Sequence, residues 1–162
     1  MARINLKHPK TTLMFSLLLL FLILLAGYAI AGLHSRYLAD DYCNDVEFMQ
    51  QGFWKGQVHS YLNPMPYSSE RCSLTLFSGI GWVLGGVRFM PVLPLASILF
   101  WALALYYAIQ QGLQYFSFRL SPVIIAFLSV CSLFFTLYLA PNQYQILFWR
   151  SGMNTYLVPL LI

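Results

Sequence analysis

Asp40 and Asp41 stand side by side in SRYLADDYCNDVEFMQQGFW, residues 35–54, a stretch that holds four of the chain's five acidic residues. Adjacent carboxylates can do acid–base chemistry: one takes a proton from a hydroxyl while the other orients the partner. A positioned base contributes about 10²–10⁴-fold to a rate. Two neighbouring carboxylates disfavour double ionisation, which raises one pKa, whereas a helix N-terminus and Arg36 favour the charged form. The spacing alone does not decide between these effects. A plainer role competes, since Asp is a preferred N-cap and acids in a first turn suit the helix dipole. One aspartate satisfies that role, and the second is left to account for.

Other chemistry-bearing residues are thinner. His34 and His59 share the outer segment with the acids, but no pair has ligand spacing on one element, so no metal site is assigned. Whether a divalent cation is needed stays open. Cys43 and Cys72 are compatible with either a disulfide or two free thiols, and Cys131 sits in an apolar run as a small core residue. Tyr37, Trp54, Tyr61, Tyr67 and Trp149 could stack on a sugar, yet such residues more often form an aromatic belt at a membrane interface.

The elements that position the acids are set by composition. The chain has 162 residues, 59% hydrophobic and 9% charged, with mean hydropathy +0.67. Soluble domains are about one quarter charged. Residues 11–33 carry no charge, and about 20 apolar residues span a bilayer core. A secretory signal peptide is the competing interpretation, with Arg3, Lys7 and Lys10 as its basic region and Ala29-Ile30-Ala31 as a cleavage-like site. The length of the run, and the apolar runs that follow it, favour an uncleaved first span. The same basic residues then place the N-terminal tail, residues 1–10, in the cytoplasm, and residues 34–71 on the extracytoplasmic side. The net charge of +4 is otherwise scattered, which excludes a nucleic-acid surface.

Within the outer loop, Tyr42, Val46, Met49 and Phe53 fall on one helical stripe, predicting a short amphipathic helix that ends near Gly52 and lies on the membrane. The following HSYLNPMPYSS, residues 59–69, reads as turn. Residues 72–87 make a weak span, 89–109 a better one and 122–140 a third, entered through Pro122 in its first turn. If 72–87 crosses, the loop at 141–156 is cytoplasmic; if it does not, that loop lies outside with Asp40. Arg88, Arg119 and Arg150, one per loop, do not decide. The final YLVPLLI opens an apolar run and stops after seven residues, as expected of the N-terminal portion of a longer protein. The predicted class is all-α: a polytopic transmembrane helical protein with an extracytoplasmic first loop.

The arrangement ADDYCNDVEFMQQGFW after a first span resembles the GT-C superfamily of polytopic membrane glycosyltransferases, which includes protein O-mannosyltransferases and the bacterial enzymes that add aminoarabinose to lipid A. In these an acidic pair opens the first outer loop and an interfacial helix follows. FWRSGMNTYLVP, residues 148–159, resembles a W-x-x-G-x-x-x-Y element of bacterial members. Two features depart from the pattern: Ala39 stands where a proline is usual, and SSERCS replaces a Lys-Pro-Pro-like element. The resemblance implies an inverting transfer from a polyprenyl-phosphate sugar donor to a glycan, lipid or protein acceptor, on the outer face of a bacterial plasma membrane. Asp40 would deprotonate the acceptor hydroxyl, and Asp41 would orient the acceptor or help hold a divalent ion. Arg71, then Arg150, would bind the leaving phosphate. A non-enzymatic membrane protein, such as a transporter or flippase subunit or a scaffold, is the alternative. Transporters more often keep ionisable residues inside their spans, and here the acids are all in the loop.

Overall fold

The computed structural model describes residues 9–62 and 72–156. Among them every regular element is a helix: α1 (Pro9–Gly32), α2 (Ala39–Leu62), α3 (Cys72–Val83), α4 (Leu93–Tyr115), α5 (Pro122–Tyr138) and α6 (Arg150–Tyr156), with 3-10 turns at Gly86–Arg88 and Met90–Val92 and a π-helical turn at Tyr144–Phe148. Two stretches, Thr12–Gly32 and Gly86–Tyr115, are long and apolar enough to cross a membrane. Only 6% and 17% of their most apolar windows are buried, whereas the core helix of a soluble domain is mostly buried. α5, with 17 residues, sits at the short end of the spanning range. α3 has 12 residues and extends only about 18 Å, well short of a bilayer core.

The chain divides into two compact units that interleave in sequence. The first comprises residues 1–29 and 98–140 and contains the apolar lengths of α1, α4 and α5. Its packing is aliphatic and aromatic: Phe21 of α1 meets the rings of Phe127, Phe134 and Phe135 of α5 at centroid distances of 5.2–6.1 Å. α4 closes with Ser117 at positive φ, where Ser117 N–H bonds Gln114 O and Phe118 N–H bonds Leu113 O. That is the paired pattern which satisfies the last carbonyls of a helix. α5 starts as expected, with Ser121 as N-cap accepting from Ile124 N–H and Pro122 in the first turn.

The second unit comprises residues 30–97 and 141–162. α2 is broken at Gly52, whose φ of 74° and ψ of 172° no residue with a side chain adopts cheaply. The predicted end at Gly52 is therefore a kink, and residues 53–62 form a second helical arm rather than the turn expected from residue 59 on. The two arms fold about Phe48, which stacks on Phe53 and on Trp82 of α3. Gln57 of the second arm donates to Thr75 O of α3 at 3.0 Å. Glu47 and His59 meet across the kink at 2.5 Å; on a straight helix their twelve-residue separation is about 18 Å.

The apolar stripe of α2 faces outward: Tyr42, Val46 and Met49 are 55%, 47% and 71% exposed. Phe53 leaves that stripe at the kink and packs inward, and the outward row resumes with Trp54, Val58 and Leu62. The opposite face of the first arm, Asp41, Asp45 and Phe48, is the buried one. α2 thus turns Asp41, Asp45 and Phe48 towards the protein and an apolar row, interspersed with exposed polar residues such as Gln50 and Lys55, towards its surroundings.

Candidate functional site

The buried polar side chains among the described residues lie almost entirely in the second unit, where α2, α3 and α6 converge; Ser129 of α5 is the exception. Their placement begins with the chain between Tyr144 and Ser151. The π-helical turn ends at Trp149, whose backbone is extended and whose N–H closes onto Tyr144 O at 3.0 Å. The chain then enters α6 with Arg150 and Ser151 both pointing into the unit. Gly152 makes the tight return possible, because a Cβ there would collide with Gln145 O and press on the Trp149 ring.

Arg150 is 2% exposed. Its Nη2 donates to Asp45 Oδ1 and to Ser78 O, each at 2.7 Å, its Nη1 donates to the Tyr37 hydroxyl, and its guanidinium carbon lies 4.9 Å from the Tyr37 ring centroid. Tyr37 in turn donates its hydroxyl proton to Asp45 Oδ2 at 2.7 Å. Arginine, carboxylate and phenol therefore form a closed triangle away from water. Burial, followed by the hydrogen bond to Asp45, raises the Tyr37 pKa, so the phenol stays protonated. Asn154, one turn after Arg150, donates to Ser78 Oγ at 3.2 Å and completes the attachment of α6 to α3.

The two adjacent aspartates part company. Asp41 is 1% exposed. Its Oδ2 accepts Leu38 N–H at 3.1 Å, the backward half of a capping box at the start of α2, which Leu38 has no polar side chain to complete. Its Oδ1 accepts Ser151 N–H at 2.9 Å and Ser151 Oγ–H at 2.5 Å, so the same carboxylate caps α6. Burial raises the Asp41 pKa, and the hydrogen bonds from Ser151 and Leu38 oppose the rise. Asp40 is exposed in the first turn of α2 and has no partner among the described residues.

The remaining sequence-predicted residues fall as follows. Arg150 lies inside the triangle, its guanidinium taken up by protein acceptors, and 110 residues separate Asp40 from it along the chain. Arg71, the first choice for phosphate, lies outside the described residues, as does Glu70. His59 pairs with Glu47, His34 is exposed, and no group of three metal-ligating side chains occurs among the described residues. Cys43 is an exposed free thiol. Tyr37, a stacking candidate in the sequence, is instead a buried hydrogen-bonding partner of Arg150 and Asp45, and neither Asp45 nor Ser151 stands out as a site residue from the sequence. A signal for Asp45 was present: it is one helical turn from Asp41, and the pair shares a face with Phe48.

As chemistry, the triangle and the Asp41 caps are saturated sites in which donors meet acceptors in a dry interior. Such groups hold structure and leave nothing for a substrate. The reactive candidate is the exposed carboxylate of Asp40, on a helix start held by its neighbour. In comparisons with family models, with curated proteins and with solved structures, nothing matches this chain.

Proposed function

We propose that the chain is the N-terminal portion of a polytopic bacterial membrane glycosyltransferase, transferring a sugar from a polyprenyl-phosphate donor to an acceptor on the extracytoplasmic side. In this reading Asp40 is the general base that takes the acceptor's hydroxyl proton as the sugar leaves the lipid phosphate with inversion. The observation that carries it is the division of labour in the acidic pair. Asp41 is consumed in capping two helices, and Asp40 remains exposed a short turn beyond a helix of membrane length. The leaving phosphate falls to Arg71 in this reading, because Arg150 is engaged by Asp45, Tyr37 and Ser78.

Two further features support the membrane setting. α2 turns the row Tyr42, Val46, Met49, Trp54, Val58 and Leu62 outward, which supports a helix lying along a membrane surface. α3 is too short to cross, and Asp41 bonds Ser151 directly, which supports a segment after α5 on the same side as Asp40. In this reading α1, α4 and α5 are the crossings, and the basic residues before α1 favour a cytoplasmic N-terminus.

The test is transfer of a labelled hexose from a polyprenyl-phosphate donor by the full-length protein in proteoliposomes. Asp40→Asn is expected to slow transfer by about 10²–10⁴-fold. Transfer at the wild-type rate by that variant ends the assignment of the base.

A further inference from the structure

We propose that Ser151 is a positioning residue for Asp40, acting through Asp41; the inference rests on Asp40 being the base. Asp40 has no side-chain contact of its own among the described residues, so its direction is set by the first turn of α2. First turns are where a helix frays, because their N–H groups lack intrahelical acceptors. Here the turn is tied down from outside. Asp41 joins Leu38 N–H on one oxygen to the backbone and hydroxyl of Ser151 on the other.

The Ser151 hydroxyl is used twice: it donates to Asp41 and accepts from Asn44 Nδ2 at 3.3 Å. One oxygen thereby connects the first and second turns of α2. Ser151 cannot drift, because Arg150 beside it is fixed by the Asp45 and Ser78 bonds. Without the hydroxyl, Asp41 keeps Leu38 N–H and Ser151 N–H but loses its shortest bond, and Asn44 loses its acceptor, so the first turn is held less tightly to α6. A base displaced by about 1 Å can lose about 10²-fold in rate, so a small loosening reaches the chemistry.

A nitroxide at position 40 reads the effect without substrate. It is attached through Asp40→Cys in full-length protein whose native cysteines are replaced by serine, reconstituted in lipid nanodiscs. The spectrum is expected to show an ordered label. Ser151→Ala should convert it to a mobile one at temperatures well below that variant's own unfolding transition, Ser151→Thr should restore order, and Asn44→Ala should loosen it partly. A label already mobile in the parent, or unmoved by both alanine variants, overturns the proposal. If Ser151→Ala fails to fold, Asn44→Ala alone decides. In the transfer assay, Ser151→Ala in the otherwise native protein should lower kcat about tenfold and leave KM for the labelled donor nearly unchanged; an unchanged kcat counts against the proposal. Wild-type transfer by Asp40→Asn would remove the base assignment, while the nitroxide still decides whether Ser151 orders the turn.

Discussion

At the scale of residues, two carboxylates four positions apart carry different burdens. Asp45 faces a cation and Asp41 does not, although both are nearly inaccessible. Removing one partner of a buried pair strands the other charge, so Arg150→Ala should cost about 3–5 kcal/mol of stability, read as the unfolding free energy of the full-length protein in detergent. Replacing both partners at once, by Asp45→Leu with Arg150→Met, should recover most of that loss, because no charge is left stranded. Asp41 gives a pH-dependent signature. Its pKa is raised above the ordinary 3.8 by burial, so the folded protein keeps the proton to higher pH than the unfolded chain does. In that window the folded state binds more protons, and stability from this group falls as pH rises, levelling once the folded carboxyl ionises. Thermal unfolding of Asp41→Asn, a constant offset aside, should gain on wild type as pH rises from about 4 through this window.

Elements were legible to different degrees. The apolar runs, a break in α2 at Gly52 (though not the arm that follows it) and the Ser121-Pro122 start of α5 rest on local chemistry and could be read from neighbours in sequence. The stripe of Tyr42, Val46 and Met49 was legible too. The reverse face was harder, because Asp41 and Asp45 look like solvent-facing residues until Ser151 and Arg150 arrive from more than 100 positions away. Such pairings are non-local, and no periodicity reports them. The kink behaves as a separable part: Gly52→Ala should cost about 1–3 kcal/mol, because the new side chain sits in a backbone region only glycine occupies readily. Loss of the Glu47–His59 contact in that variant, seen as a shift of the His59 ring resonances, would show that the arms had opened. Gly152→Ala is expected to cost about as much through overpacking against Gln145 O, with the same unfolding measurement as its check.

For the whole molecule, the topology proposed above turns on which segments share a side of the membrane. The sequence left the side of residues 141–156 open, since one arginine per loop gives no bias. The short α3 and the bonds from α2 to α6 put the question in a form that can be measured. In a protein without native cysteines, single cysteines at Pro141 and Asp40 should react with an impermeant thiol reagent applied from outside intact cells. One at Ser117, in the α4–α5 turn, should react only after the membrane is opened. Outside labelling at Ser117 would require α4 to remain on the outer side.

The interleaving of the two units also fixes an order of events during synthesis. Asp45 leaves the ribosome 105 residues ahead of the arginine that neutralises it, and Asp41 110 residues ahead of Ser151. At translation rates of about 5–20 residues per second, α2 waits roughly 5–20 s for its partners while α4 and α5 are made. During that interval the two acids lack their partners and the first turn of α2 is untied, and completion of α6 is the step that withdraws both acids from water.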